Sequence, residues 1–387
     1  MTFDKFLPFA KPCLDDFEIE EILDSLHSGW ITTGPKVAKF EELLTSYHSG
    51  RRALCLTSAT AGLHLALLGL GLGKGDEVIT TPFTFVATLN TIELTGAKPI
   101  LVDINPATLN IDEDKIEAAI TERTKAIMPV HFAGLPVDLD KIYALAKKYN
   151  LRVIEDAAHA IGAEFNNKRL GTFGDIQVMS FHPNKNITTG EGGCVISNDE
   201  ELLNRIERLR FHGIDRNAFN RFSKAGSTEY DVVVPGYKYN MMDIQAALGI
   251  HQLPKLAGFI ARRTQAVSQY RAELMGISGL SFVDLPSYPH KHAWHLMNIW
   301  IDKELAGFDR NEFINKLKEQ NIGTGVHYKS AHLFSYYANK YGWKPESYPE
   351  STRIGETICS LPLFPQMDDA TLGKIILIIK KIFKHEI

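Results

Sequence analysis

ALCLTSATAGLHLALLGLGLGKGDEVITTPFTFVATLN, residues 53–90, decides how this chain is read. The apolar segment 53–56 is too short for a helix and runs straight into Thr57-Ser58. Residues 60–72 then have helical length, EVIT (77–80) is again a short apolar segment, and 85–96 again has helical length. Short strands separated by helices of this size make parallel βαβ units, with both faces of the sheet covered. Outward from this stretch the alternation continues. KPILVDI (98–104), KAIMPVHF (125–132) and LRVIED (151–156) read as strands, with helices at 112–120 and 138–149 between them. DIQVMSF (175–181) and GCVIS (193–197) then follow with only loops between, so a mixed, mostly parallel sheet is expected.

Toward the N-terminus, 15–27 and 36–48 carry helical periodicity. Toward the C-terminus a helix is expected over 199–213, a polar loop over 216–235, and nearly continuous helix over 240–275, interrupted at Pro254. Beyond it come a strand at 295–301 and helices at 311–319 and 370–384. The expected organisation is a large α/β domain, 1–255, and a smaller α+β domain, 256–387, meeting inside the long helix.

Of the 387 residues, 46 are Asp or Glu and 42 are Lys or Arg, so the basic surplus usual in nucleic-acid binders is lacking. The cysteines Cys13, Cys55, Cys194 and Cys359 form no CxxC pair, which argues against a zinc ribbon or a disulfide scaffold and fits a reducing compartment. The start, MTFDKFLPFAKP, has charges where a signal peptide needs an apolar run, and Ala61 to Gly73 is too short to span a bilayer. A cytoplasmic protein with no membrane or nucleic-acid partner is expected.

The usual nucleotide signatures are lacking. Gly69, Gly71, Gly73 and Gly75 follow a helix and precede a strand, whereas phosphate loops follow a strand and open a helix, so these glycines read as a helix end and turn. Four strand ends are more telling. In open α/β sheets the carboxyl ends of the strands face the ligand crevice. The first strand runs into Ser58-Ala59-Thr60-Ala61-Gly62, where hydroxyls and the free amides of a helix start offer an anion seat. An ordinary N-cap is the plain structural alternative. TPFTFVATLN (81–90) places Phe85 where it could stack on a flat ring, although one phenylalanine is more often core. IEDAAHA ends a strand in Glu155 and Asp156, with His159 three residues beyond the latter. Finally, SFHPNKNITTGEGG delivers Ser180 and His182 to a strand end and puts Lys185 in an irregular loop. A held lysine that loses its proton can form a Schiff base with an aldehyde. A carboxylate against a pyridine nitrogen keeps that ring protonated as an electron sink.

Together TSATAG, IEDAAHA and SFHPNKNITTGEGG resemble the motifs of the DegT/StrS-type nucleotide-sugar aminotransferases, pyridoxal phosphate enzymes of the aspartate aminotransferase fold (fold type I). The likeness continues through GWITTGPKV (29–37), GYKYNMMDIQAALG (236–249) and GTGVHYKSAH (323–332), nearly the whole chain. It implies that Lys185 bonds pyridoxal 5'-phosphate, Asp156 meets the ring nitrogen, and His159 the ring hydroxyl. Thr60, Ala61 and Ser180 would hold the phosphate and Phe85 stack on the ring. Members are homodimers with shared active sites, so Lys238, where many members have asparagine, would reach the other chain's phosphate. The implied substrates are a nucleotide sugar and glutamate/2-oxoglutarate. Trp30 and His182 would line the sugar pocket, and His327, Tyr328, Lys329 and His332 its mouth. The branch most resembled makes the 4-amino-4-deoxy-L-arabinose nucleotide of lipid A modification, which favours a UDP-linked 4-keto-pentose. A UDP-, GDP- or dTDP-linked 4-keto-6-deoxyhexose is the alternative. A sugar-dehydrating branch carries His in place of the lysine, and Lys185 argues against it. A non-catalytic regulator leaves the Asp156/Lys185 pair without purpose. A metal site on His290, His292 and His295 lacks a completing carboxylate or cysteine, so none is expected.

Overall fold

The computed structural model describes residues 2–215 and 230–387. The first half alternates α1 (Asp16–Ser28), α2 (Pro35–Tyr47), β1 (Arg52–Leu56), α3 (Ala59–Gly69), β2 (Glu77–Thr80), α4 (Ala87–Thr95), β3 (Lys98–Leu101) and a single turn, α5 (Glu113–Ile116). There follow β4 (Thr124–Ile127), α6 (Leu139–Tyr149), β5 (Arg152–Asp156), β6 (Glu164–Phe165), β7 (Lys168–Arg169), β8 (Ile176–Ser180), β9 (Gly193–Ser197) and α7 (Glu200–Leu209). After α8 (Asp243–Leu274) come β10 (Leu280–Phe282), β11 (His290–Lys291), β12 (Met297–Ile301), α9 (Lys303–Ala306) and α10 (Arg310–Glu319). The chain closes with α11 (Ser335–Tyr341), α12 (Pro349–Thr357), β13 (Ile358–Leu361) and α13 (Asp369–Phe383).

Short polar side chains start these helices. Asp15, Ser58, Asp138, Asp199, Asp309 and Asp368 each accept a hydrogen bond from an amide of the first turn. Such a cap is worth about 1 kcal/mol against alanine. Left-handed glycines at Gly71 and Gly75 turn the chain between α3 and β2, the role expected for that glycine run.

The main sheet has the order β1-β9-β8-β5-β4-β2-β3. The pairs from β8 to β3 are parallel, and β9 runs antiparallel to both β8 and β1. It is therefore the mixed, mostly parallel sheet expected. One face buries Cys55, Ile79, Ile127, Val153 and Met179 against α2 and α8, and the other buries Leu54, Val78, Ala126, Ile154 and Val178 beneath α3. The alternation along each strand is what turns successive side chains to opposite cores. A second sheet, β10-β12-β13, packs with α10 and α13 around Phe313, Leu317, Ile375 and Ile379.

Three expectations need correction. α8 is one helix through Pro254, because burial of Leu253, Leu256 and Ile260 on one core and of Tyr270 and Leu274 on another outweighs a local cost of about 3 kcal/mol. The helix expected over 112–120 is one α turn followed by a 3₁₀ turn, Glu117–Ala119. The strands expected to reach 104 and 132 stop at Leu101 and Ile127. Most of the polar stretch 216–235, including Arg216 and Arg221, lies outside the described residues. The four cysteines are free, and no helix among the described residues is long and apolar enough to cross a membrane.

At the free edge of β1 the backbone is covered by side chains. The Cys55 amide donates to Glu41 Oε1 at 2.8 Å, and Arg210 Nη1 donates to the Cys55 carbonyl at 2.7 Å and to Glu41 Oε1 at 2.6 Å. The Ala53 amide donates to Thr45 Oγ1 at 3.1 Å.

Candidate active site

A cavity of about 790 Å³ opens at the carboxyl ends of the parallel strands. β1 delivers Ser58, β2 delivers Thr84 and Phe85, β4 Val130, β5 Asp156, and β8 Ser180 to its wall. The loop after β8 adds His182, Asn184 and Lys185, and a loop from the C-terminal part adds Val326, His327, Tyr328 and Lys329. A crevice at this end of an open α/β sheet is the usual ligand position.

One end of the cavity is a helix start. Ser58 Oγ accepts from the Ala61 amide at 3.1 Å, which leaves the Ala59 and Thr60 amides without an acceptor among the described residues. Ala59 and Thr60 line the cavity, whereas Ala61 is buried behind them. Gly193 explains part of the GEGG motif. A Cβ there would lie 2.5 Å from the Ala59 nitrogen and 2.7 Å from the Met179 carbonyl oxygen, so only glycine lets α3 seat this close to β8 and β9.

Across from this seat lies Asp156, buried beneath Thr88. Its Oδ2 accepts from Thr88 Oγ1 at 2.8 Å and its Oδ1 from the Ala158 amide at 3.2 Å. Thr88 Oγ1 is also 2.8 Å from Thr84 Oγ1. Burial pushes the Asp156 carboxyl up, against the lowering effect of Thr88, Ala158 and Lys185. Burial also brings the Lys185 ammonium down to about 8, with Asp156 opposing. Two groups whose charged forms are each disfavoured by desolvation, and favoured by the other, characterise reactive sites.

His159 has partners on both nitrogens. The Ala133 amide donates to Nδ1 at 3.2 Å, and Nε2 lies 2.9 Å from Tyr328 Oη. Burial holds this imidazole neutral, so the amide fixes the tautomer: Nε2 carries the proton and donates to Tyr328. Phe85 is exposed on the wall, its ring 6.1 Å from that of Tyr328. His182 is exposed, with Nδ1 2.9 Å from Asn184 Oδ1. His327 Nδ1 is 2.8 Å from Ser360 Oγ, and burial lowers its titration to about 4. Lys329 lies over the Phe334 ring at 5.4 Å.

Three expected residues lie away from this cavity. His332 is fully buried on the turn Ala331–Leu333, its Nε2 3.0 Å from Thr352 Oγ1, because the Ala331 amide donates to the Pro82 carbonyl and turns the chain inward. It packs structurally and forms no part of the mouth. The Trp30 indole donates to the Thr33 carbonyl at 3.1 Å, outside the cavity wall. Lys238 is exposed over the Phe211 ring at 4.1 Å. His290, His292 and His295 diverge. Nδ1 of His290 faces the Tyr288 carbonyl, His292 stacks on Trp294 at 3.7 Å, and His295 turns toward Lys185. No group of three or more His, Cys, Asp or Glu among the described residues is placed to hold a metal ion.

The Thr84–Thr88–Asp156 relay and His295 were not singled out for this site from the sequence. Thr88 lies one helical turn past Thr84, a spacing that would have signalled the pair. His295 gave no such signal, since only tertiary packing sets it beside Lys185.

Residues 12–380 match the family model for the DegT/DnrJ/EryC1/StrS aminotransferases. The chain belongs to that family. The aminotransferase is 44% identical over 383 residues to the UDP-4-amino-4-deoxy-L-arabinose–oxoglutarate aminotransferase of Shewanella sediminis, covering 98% of each chain. It is 43% identical over 383 residues to the spore coat polysaccharide biosynthesis protein SpsC of Bacillus subtilis, covering 98% of this chain and 97% of that one. Among solved structures it superposes on Spr1654 of Streptococcus pneumoniae in its PMP form with a TM-score of 0.90, at 34% identity, covering 98% of this chain and 100% of that one. Spr1654 has also been solved in its PLP form. The aminotransferase is thus a pyridoxal phosphate-dependent sugar aminotransferase of the aspartate aminotransferase fold, acting on a nucleotide sugar with an amino donor.

Proposed function

We propose that this aminotransferase moves the amino group of glutamate to the C4 keto carbon of a nucleotide sugar, with a UDP-linked 4-keto-pentose as the favoured acceptor. The chemistry rests on one observation: Lys185 and Asp156 face one cavity whose far end is a helix start with two free amides. That arrangement fits pyridoxal phosphate. The Ala59 and Thr60 amides, with the Thr60 and Ser180 hydroxyls, suit the dianionic phosphate. Asp156 suits the ring nitrogen, and Phe85 the ring face. His159, paired with Tyr328, suits the ring hydroxyl. When bound, the cofactor supplies the aldehyde that carries the amino group and the ring that withdraws electrons from the reacting carbon. The carboxylate of Asp156, buried and held by Thr88 and Ala158, would keep the ring nitrogen protonated through a charge-assisted hydrogen bond. Lys185 would hold the cofactor and, as the free amine, would move the proton at the reacting carbon. Its lowered titration keeps a usable fraction as free base near neutral pH.

The substrate reading rests on the likeness to the S. sediminis enzyme along 98% of each chain. An aliphatic wall of Val86, Ala87 and Val326 supports a 6-deoxyhexose as the second reading. One methyl in such a pocket discriminates by only about 1–3 kcal/mol. The product would be an amino sugar for surface polysaccharide or lipid A, made in the cytoplasm, where reduced thiols persist.

We read the working unit as a homodimer. Phe17, Leu23 and Leu26 on α1 are each about half exposed or more, as are Trp30 and Ile31 beyond it. Lys238, exposed as well, is the residue we expect to reach the neighbour's phosphate seat. Residues 1–255 and 256–387 are read as the two domains.

The deciding assay supplies the purified enzyme with glutamate and, in turn, UDP-4-keto-pentose and UDP-, GDP- and dTDP-4-keto-6-deoxyhexoses. The highest kcat/KM is expected with the pentose. A higher value with a hexose replaces the pentose reading and keeps 4-amination, while no transfer to any of the panel overturns both.

A further inference from the structure

Just behind the cavity wall sits a histidine with no part in the chemistry of Lys185 and Asp156 described so far. His295 is 3% exposed, and its backbone is tied down on both sides. Its amide donates to the Ala133 carbonyl at 2.9 Å, and its own carbonyl accepts from Arg263 Nη1 at 3.2 Å. The same nitrogen of Arg263 reaches the carbonyls of Trp294 at 3.3 Å and Leu363 at 3.0 Å. Arg263 is buried on α8 with no carboxylate partner among the described residues, an arrangement that is costly unless its neighbours need it. What it does here is lock the Trp294–His295 backbone to the long helix.

Among the described residues the imidazole so placed has one polar partner. Its ring packs 4.4 Å from that of His159, between centroids, and its Nε2 lies 3.5 Å from Lys185 Nζ. Its Nδ1 is buried with no hydrogen-bond partner among the described residues. Burial comes first among the effects that hold the ring neutral, and Lys185, His159, Arg263 and His327 all act in the same direction. Asp156, which favours the charged lysine, completes the set of ionisable groups facing the pair. A neutral imidazole beside an ammonium accepts a hydrogen bond from it.

We propose that His295 is a positioning residue for Lys185: its Nε2 accepts a hydrogen bond from the lysine ammonium and holds Nζ on the His159 side of the cavity whenever the lysine is not bonded to cofactor. This rests on the reading of Lys185 as the cofactor-binding lysine. Asp156 favours the lysine's charge from across the cavity, whereas His295 gives it a direction without adding charge.

The test uses the full-length protein freed of cofactor. Acylation of Lys185 is followed by mass spectrometry across pH in the parent, in His295→Phe and in His295→Gln. The parent midpoint is expected near 8. Losing the acceptor disfavours the ammonium, so His295→Phe should lower the midpoint by about one unit and speed labelling at pH 7 roughly fivefold. His295→Gln, which keeps an acceptor at similar reach, should return it most of the way. Equal midpoints in all three proteins overturn the proposal. Equal shifts in both variants overturn it too, because burial alone then accounts for them. Borohydride reduction of the cofactor-loaded parent keeps the two readings apart. Pyridoxal phosphate fixed on Lys185 upholds the catalytic lysine whatever the His295 result, and cofactor fixed elsewhere overturns both.

Discussion

The rate at which the cofactor-free protein captures pyridoxal phosphate should carry the signature of a buried lysine. Only the free amine attacks an aldehyde. Burial brings Lys185 from an ordinary 10.5 to about 8, and Asp156 pulls the other way. At pH 7 an ordinary lysine has about 0.03% free amine, while one at 8 has about 9%, a gain of roughly 300-fold. The sign follows directly. Below pH 8 the capture rate should rise about tenfold per pH unit, and above it the rate should level off. Replacing Asp156 with Asn removes the group that favours the charged lysine, so the plateau should begin at lower pH. The measurement mixes cofactor-free enzyme with pyridoxal phosphate and follows the growth of visible absorbance. The rate for free Nα-acetyl-lysine, expressed per free amine at each pH, removes the cofactor's own ionisation. A corrected rate that keeps climbing tenfold per unit from pH 8.5 to 10 would refute the claim that the cavity depresses this lysine.

Three further outcomes are expected. Gly193→Ala places a methyl 2.5 Å from the Ala59 nitrogen, so α3 must retreat from the sheet. It should destabilise the protein by about 1–3 kcal/mol and weaken pyridoxal phosphate binding, read by equilibrium dialysis. Asp156→Asn should keep bound cofactor yet lose turnover by about a hundredfold or more, since the pyridine nitrogen loses its anionic partner; near-normal turnover with glutamate would contradict this. Glu41→Ala leaves the buried Arg210 guanidinium with Glu207, at 3.9 Å, as its carboxylate partner among the described residues, and should cost about 3 kcal/mol in a urea titration with little change in KM.

Where the chemistry stands at a strand end, the sequence carried it well. Ser58, Phe85, Asp156, Ser180 and Lys185 all line one cavity because the parallel strands that precede them share a direction, and alternation with helices announces that direction. Side chains placed by contacts remote in sequence were less legible. His332 looked like a mouth residue until the bond from Ala331 to Pro82 turned it inward. Pro254 read as a break, because the two cores that grip α8 are assembled from distant segments. His295 sits in a run that suggested a metal at most, and its neighbour Lys185 lies 110 residues away.

The side-chain cover over β1 has a bearing on what happens when copies of this protein meet. A bordering strand with bare amides and carbonyls is a template onto which a foreign strand can zip, the first step of many aggregates. Here Glu41 and Arg210 imitate the two halves of a neighbouring peptide unit, one accepting from Cys55 and the other donating to it. Because the imitation is ionic and half-buried, it competes with an incoming strand without offering a continuation of its own. Solubility at high expression should therefore depend on this pair more than on the net charge of the surface, and partly unfolded forms that lose α2 should be the ones that clump.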